Sequence, residues 1–235
     1  MSSPTDESGS QHRSSSETIP RPRIQTLSDL IFGLALSIGA LTLISEKPSH
    51  IMGLAATLLG FGWSFLILAL VWVRYTKIMS VLPVETGSMV GANLLLLFLV
   101  SIEPFLYNLI AFAPLPGQLD SGSSTAAYAT DMGSIFVIIA YFTHELTNEE
   151  RKLIPKELLR SYRLQRDTTL AVAALFYVSI LPIFWSVTVF GLQVRFFIWM
   201  GTFVTWVIRR VIEGRRSVQS LTVHPSSPWS FTMKG

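Results

Sequence analysis

Six apolar stretches, separated by links that carry most of the charge, constrain this chain more than any single motif. They run at about residues 27–45, 51–73, 87–111, 126–142, 168–190 and 196–211. A helix rises about 1.5 Å per residue and a bilayer core is roughly 30 Å thick, so stretches of this length suit membrane crossing. Composition agrees. Charged residues make up 14% of the chain, against about 25% in soluble domains. The expected fold class is an all-α integral membrane protein with six transmembrane helices.

The links predict the rest of the organisation. Residues 1–22 are polar and Ser-rich, which predicts a disordered tail with no apolar core for a cleaved signal peptide. The first span is then expected to act as an uncleaved anchor. The SEKPSH link allows only a hairpin between antiparallel helices. Pro83 stops the second helix and Thr86 is placed to cap the third. Residues 113–125 read as a turn-rich loop. In the charged segment before the fifth span, Thr147 and Glu150 fit a capping box and Pro155 suits a helix start. Pro182 is a kink point. The membrane domain is expected over 23–213, followed by a cytoplasmic tail over 214–235. Of the 18 Lys and Arg residues, all but Lys47 and Arg195 fall on one side when six spans alternate. The positive-inside rule then puts both termini in the cytoplasm. The basic run from Arg151 to Arg166 fits a plain positive-inside loop, or a segment lying on anionic lipid.

Several chemistries are absent. The chain has no cysteine, so it holds no disulfide, thiolate zinc site or cysteine nucleophile. It contains no H-E-x-x-H, no G-x-S-x-G, no P-loop and no Rossmann glycine run. His12, His50, His144 and His224 lie in tails or links without metal-like spacing. No enzyme activity, metal, cofactor or nucleic-acid partner is expected. There is also no T-V-G-Y-G filter and no Arg at every third position of a span.

The polar residues inside the spans are the informative ones. Ser28 and Asp29 lie at the start of the first span, Trp72 and Tyr75 at the end of the second, and Asn93 early in the third. Alternating spans put these groups in one layer, where Asp29 could accept hydrogen bonds from Trp72, Asn93 or Arg23. A polar clamp that only fixes helix packing accounts for them equally well. Leu30, Leu34, Ser37 and Leu41 are spaced four, three and four, so they share one helix face. That spacing also suits ordinary packing. The same helix carries Gly33, Ser37 and Ala40, with Ala35 and Gly39, which permit close helix approach. Glu103 and Asp131 are intramembrane acids toward the opposite side, and Glu103 precedes Pro104. They read as ion or proton sites, or as acids in a hydrated vestibule. Tyr107 and Asn108 extend that polar neighbourhood. Arg195, at the outer end of the last span, is expected to snorkel.

The first span also resembles the signature of the transmembrane protein 175 family of potassium channels, R-x-x-x-F-S-D followed by an apolar run with a Thr. The matching residues are Arg23, Leu27, Ser28 and Asp29, then Phe32, Leu34, Ser37 and Leu41. Leu27 stands for the Phe and Ser37 for the Thr. The second span matches at Ser64, Phe65 and Trp72, with Tyr75 where the family has His. The third matches from Asn93 to Phe98 and at Ser101, Pro104 and Phe105. The match covers about residues 23–110, and the second half agrees in topology.

The resemblance implies a homotetramer in the lipid bilayer, conducting K+ passively through a pore lined by the first helix of each subunit. Leu34, Ser37, Leu41 and Leu30 would line and constrict it. Arg23, Ser28, Asp29, Trp72 and Asn93 would hold the helix in place. The compartment would be the cell membrane of a prokaryote, or the endosome or lysosome of a eukaryote. A proton- or cation-coupled transporter using Glu103 and Asp131, or a non-conducting membrane scaffold, are the alternative functions.

Overall fold

The computed structural model describes residues 23–45, 51–82, 86–111, 121–151, 153–189 and 192–222. The expected N-terminal tail, the first hairpin link and the end of the C-terminal tail lie outside these residues. Among them the fold is a bundle of long helices: α1 (Arg23–Ser45), α2 (Ile51–Met79), α3 (Gly87–Ala111), α4 (Ser121–Leu146), α5 (Lys156–Ser179) and α7 (Val194–Thr222). A single short helix, α6 (Ile183–Ser186), and a two-residue hairpin, β1 (Thr188–Val189) with β2 (Leu192–Gln193), join α5 to α7. The protein is an all-α, multi-pass membrane protein. Helices satisfy their own backbone hydrogen bonds, which hydrocarbon demands. Parts of α2, α3 and α4 (Gly53–Met79, Gly87–Ile110 and Gly122–Leu146) are long and apolar enough to cross a membrane. The apolar stretches of α1 and α7 are shorter, Thr26–Leu41 and Val194–Val207.

The helices depart from the expected spans where packing continues past the apolar window. α2 runs on through Arg74 and Lys77 because Val71, Tyr75, Ile78 and Met79 keep one buried face. α4 starts at Ser121 and ends at Leu146, longer at both ends than the expected 126–142. Thr86 sits before α3 as expected. Its carbonyl accepts from the amides of Met89 and Val90, and its hydroxyl faces Ser88. The capping box at Thr147 does not form. Thr147 instead donates to the His144 carbonyl and closes α4, while the Asn148 side chain accepts from the Glu150 amide.

The fifth span differs most. One helix occupies 156–179, starting after Pro155 and stopping at Ile180, so residues 168–190 are not a single helix. The charged run before the apolar window is helical because Gln165, Thr169, Val172, Ala173, Phe176 and Ser179 form one buried stripe. At this end of the bundle Arg163 of α5 pairs with Glu149, and Arg151 pairs with Glu145. Pro182 lacks an amide proton and cannot extend α5. The β-branched residues beyond it, Val187 to Val189, lead into the hairpin, with Thr188 opposite Gln193. α7 runs on past the expected end near Val211 to Thr222.

The core lies between α2, α3, α4 and α5, with α1 and α7 packed on either side. Its aromatic seam joins α4, α5 and α7. Phe136 stacks on Phe176 with centroids 5.8 Å apart, Phe176 on Trp199 at 5.6 Å, and the Trp199 indole donates to Ser179 at 2.9 Å. Gly133 matters here, because the Tyr177 ring lies 3.0 Å from where its Cβ would stand and the Tyr177 hydroxyl meets Ser134 at 2.9 Å. A Gly133→Val chain must push that ring off α4. The expected loss is about 1–3 kcal/mol, seen as a lower unfolding midpoint in detergent. Tyr177→Ala added to the same chain should return part of it; a Gly133→Val protein as stable as the wild type would show that α4 and α5 do not meet there.

Candidate functional site

Two polar clusters sit inside the bundle. The first ties α1, α2 and α3. Ser28 is fully buried and its hydroxyl lies 2.6 Å from that of Tyr75. Tyr75 in turn donates to Asn93 Oδ1 at 2.8 Å. A phenol has one proton, so Ser28 is the donor to Tyr75 and the three groups form a directed chain. The Tyr75 ring packs between Phe32 at 5.6 Å and Phe142 at 6.5 Å. Beside this chain, nearer the surface, the Trp72 indole donates to Asp29 Oδ1 at 2.9 Å.

Sequence reasoning placed Ser28, Asp29, Trp72 and Asn93 in one layer, and these four do come together. Their pairing differs in one respect. Asn93 does not reach Asp29; it ends the Ser28–Tyr75 chain. The node is Tyr75, which the sequence placed in this layer without a partner of its own. The signal was its spacing, three residues after Trp72, which turns both toward α1. The Arg23 side chain lies outside the described residues.

Ser28, Phe32 and Ala35 turn inward along α1, spaced four and three. The opposite face is uncovered by the rest of the chain. Leu30, Leu34 and Leu41 are 68%, 58% and 60% exposed. Ser37 lies on the same exposed face and its hydroxyl donates to the Gly33 carbonyl at 2.8 Å. A helix pinned on one side and bare of its own subunit on the other presents a continuous Leu–Ser–Leu stripe to a neighbour, to lipid or to water.

The second cluster lies toward the other end of α3. Glu103 is fully buried and accepts from the Ser64 hydroxyl at 2.7 Å. The Tyr128 hydroxyl lies beside the Glu103 carboxyl group. Asp131, a turn further along α4 from Tyr128, is also buried. Tyr107, a turn beyond Glu103, packs edge-on to Tyr128 at 6.2 Å. Its hydroxyl is 2.1 Å from where a Cβ on Gly60 would stand, so a larger residue there would displace the Tyr107 hydroxyl. Each helix thus contributes a pair at i and i+3 or i+4: Gly60 and Ser64, Glu103 and Tyr107, Tyr128 and Asp131. Tyr128 went unremarked in the sequence, although its spacing to Asp131 was the available signal.

Arg195 does not snorkel. It is buried at the start of α7, with its Nε donating to Gln193 at 2.6 Å and its guanidinium 5.9 Å from the Phe196 ring centre. Among the described residues no group of three or more His, Asp and Glu is arranged to hold a metal.

Removing the Tyr75 hydroxyl breaks hydrogen bonds to buried groups on two other helices. Tyr75→Phe is expected to cost about 2–3 kcal/mol, while Trp72→Phe, at a more exposed bond, costs about 1 kcal/mol. Thermal unfolding of both variants in detergent checks the order, and equal losses would remove Tyr75 as the node.

No curated protein sequence matches this chain. The profile of the family described as the endosomal/lysosomal potassium channel TMEM175 matches residues 23–104. A crystal structure of a lysosomal potassium-selective channel TMEM175 homolog from Chamaesiphon minutus has a similar fold, with a TM-score of 0.51 and 20% identity over 82% of this chain and 96% of that one. A threonine-to-alanine variant of the potassium channel MtTMEM175, solved with a nanobody–MBP fusion, matches with a TM-score of 0.51 and 15% identity, covering 86% of this chain and 96% of that one. Residues 23–104 are thus similar to the TMEM175 family in sequence, and the chain as a whole has the fold of these TMEM175 channel structures.

Proposed function

We propose that this chain is a potassium-permeable cation channel in which α1 of each subunit lines a shared pore. The observation that carries the reading is the bare face of α1. Leu30, Leu34, Ser37 and Leu41 are uncovered by their own subunit, on a helix whose other face is tied to α2. Copies arranged about an axis would cover that face and enclose a narrow path; four copies follow the family's pattern. Leucine rings would resist ions because they offer nothing in place of a hydration shell. Ser37 hydroxyls would supply part of that replacement. Both termini would face the cytoplasm, in line with the placement of basic residues. The permeant ion is K+. Asp29 and Trp72 act here as positioning residues that set the rotation of α1.

Potassium flux from liposomes holding the purified protein, with sodium as comparison, tests the proposal. Leu34→Ala should raise flux, on the order of tenfold if the barrier falls by about 1.4 kcal/mol. Flux unchanged by that substitution in a well-folded protein would remove Leu34 from the pore. No flux of either cation from folded protein would favour a scaffold.

A further inference from the structure

The groove between α4 and α5 plays no part in holding α1. Ser134, Val137, Tyr141 and His144 follow each other on α4 at three, four and three residues, so they form one stripe. The bundle leaves all four at least partly uncovered. Antiparallel to them on α5 stand Tyr177, Leu170 and Arg166. Two cross-links fix this register. The hydroxyls of Ser134 and Tyr177 meet at 2.9 Å, and Arg166 Nη1 lies 3.3 Å from His144 Nδ1. Val137, Ala140, Tyr141, His144, Arg166 and Leu170 line a groove of about 340 Å³. Ala140 is buried, so a small side chain forms its floor. Val137 and Leu170 are 40% and 43% exposed, so its walls stand open to the outside.

The chemistry of the groove changes along its length. Ser134 and His144 stand about 15 Å apart along α4, half of a hydrocarbon core of roughly 30 Å. The stripe therefore spans one leaflet. Its deep part is apolar, with Val137, Ala140 and Leu170. Its outer end carries Tyr141, His144 and Arg166, residue types that suit the membrane–water boundary. Lys156, Arg160 and Arg163 lie further out on the same helix. The positive-inside rule assigns that side to the cytoplasm, where the lipid surface is negative.

The hydrogen bonding at the outer end suits an anion. A guanidinium has no acceptor, so His144 Nδ1 accepts from Arg166 and a neutral imidazole carries its proton on Nε2. Asp167 meets Nε and Nη2 of Arg166. One further proton remains on each of Nη1 and Nη2. Asp167 is exposed, and exposed ion pairs hold little. Guanidinium protons arranged this way match phosphate oxygens. The groove thus pairs a phosphate-binding end with an apolar channel one leaflet long, which is the pattern of a phospholipid.

We infer that the α4–α5 groove holds one anionic phospholipid of the adjoining leaflet. Its phosphate rests on Arg166 and His144, and an acyl chain lies along Val137 and Leu170. α1 packs on α2 and α3, so this site is separate from the bare face of α1 and does not depend on conduction.

The test uses full-length protein purified in detergent and stripped of lipid. Phosphatidylglycerol and phosphatidylcholine with identical acyl chains are added in turn. Native mass spectrometry counts bound lipid, and thermal unfolding reads its effect on the fold. Inorganic phosphate is the comparison without an acyl chain. The expected result is one retained phosphatidylglycerol per chain, a several-fold preference over phosphatidylcholine, and no stabilisation by inorganic phosphate. Arg166→Gln and His144→Ala should each weaken phosphatidylglycerol retention several-fold. Val137→Trp should fill the groove and cut retention although every charge remains. Arg160→Gln removes the same charge as Arg166→Gln from an exposed position outside the groove, and should leave retention unchanged. His144 and Val137 are exposed, so their variants carry the test if Arg166→Gln does not fold. Equal retention of the two lipids overturns the inference, as does a preference that survives His144→Ala and Val137→Trp. An equal loss in Arg160→Gln would reduce it to diffuse surface charge. Stabilisation by inorganic phosphate equal to that by lipid would make it a free-anion site. A change of oligomer size in the groove variants would give the groove to a second copy. Each of these outcomes removes the lipid site. Potassium flux from liposomes reads the channel proposal separately, so either can fail alone.

Discussion

The hydroxyl of Tyr75 is the point on which the position of α1 depends. Helices in hydrocarbon gain no hydrophobic advantage from touching each other, since lipid tails are as apolar as leucine. Directional bonds must then fix rotation and depth. Ser28 and Asp29 are adjacent on α1 and take different partners on α2, Tyr75 and Trp72. One bond would fix depth alone. Two bonds from consecutive residues, about 100° apart around the helix, also fix rotation. The outward stripe of leucines follows from that, because Phe32 and Ala35 must then turn inward. A constraint at the second turn of the helix sets the face presented more than three turns later.

In the resemblance to the transmembrane protein 175 signature, Tyr75 stands where that signature has histidine, and a tyrosine there keeps the needed chemistry. Both side chains can donate and accept at once. The phenol adds a ring that packs on Phe32 and Phe142, so the link is apolar on its flanks and polar at its tip. The bond survives in a dry interior because no buried partner in the chain is left over.

The first half of the chain was legible because its constraints are local. Apolar windows set the helices, and Ser28, Asp29, Trp72 and Asn93 could be put in one layer by counting residues from the ends of spans. What counting could not give was the partner of each group. That depends on helix rotation, which the pairs at Tyr75 decide. The second half was less legible because composition there misleads. The charged stretch before residue 168 reads as a link, yet it is helix, held by a stripe containing Gln165 and Thr169 that no hydropathy window detects. The apolar stretch after residue 180 reads as membrane helix, yet Pro182 and the β-branched residues beyond it turn it into a short helix and a hairpin.

α3 carries one polar cluster near each end, at Asn93 and at Glu103, about 15 Å apart along the helix. Both are buried, both join three helices, and by residue type alone both could be clamps. At Asn93 the donors and acceptors close on each other, which is what a group retained for helix register requires. At Glu103 the Ser64 hydroxyl meets one carboxylate oxygen and the Tyr128 phenol lies beside the same side chain, so α2, α3 and α4 meet there too. The two joints differ in what they bury. A carboxyl group in a dry core costs free energy that the neutral amide of Asn93 does not. The joint at Asn93 therefore holds α1 at less cost than the joint at Glu103 holds α4.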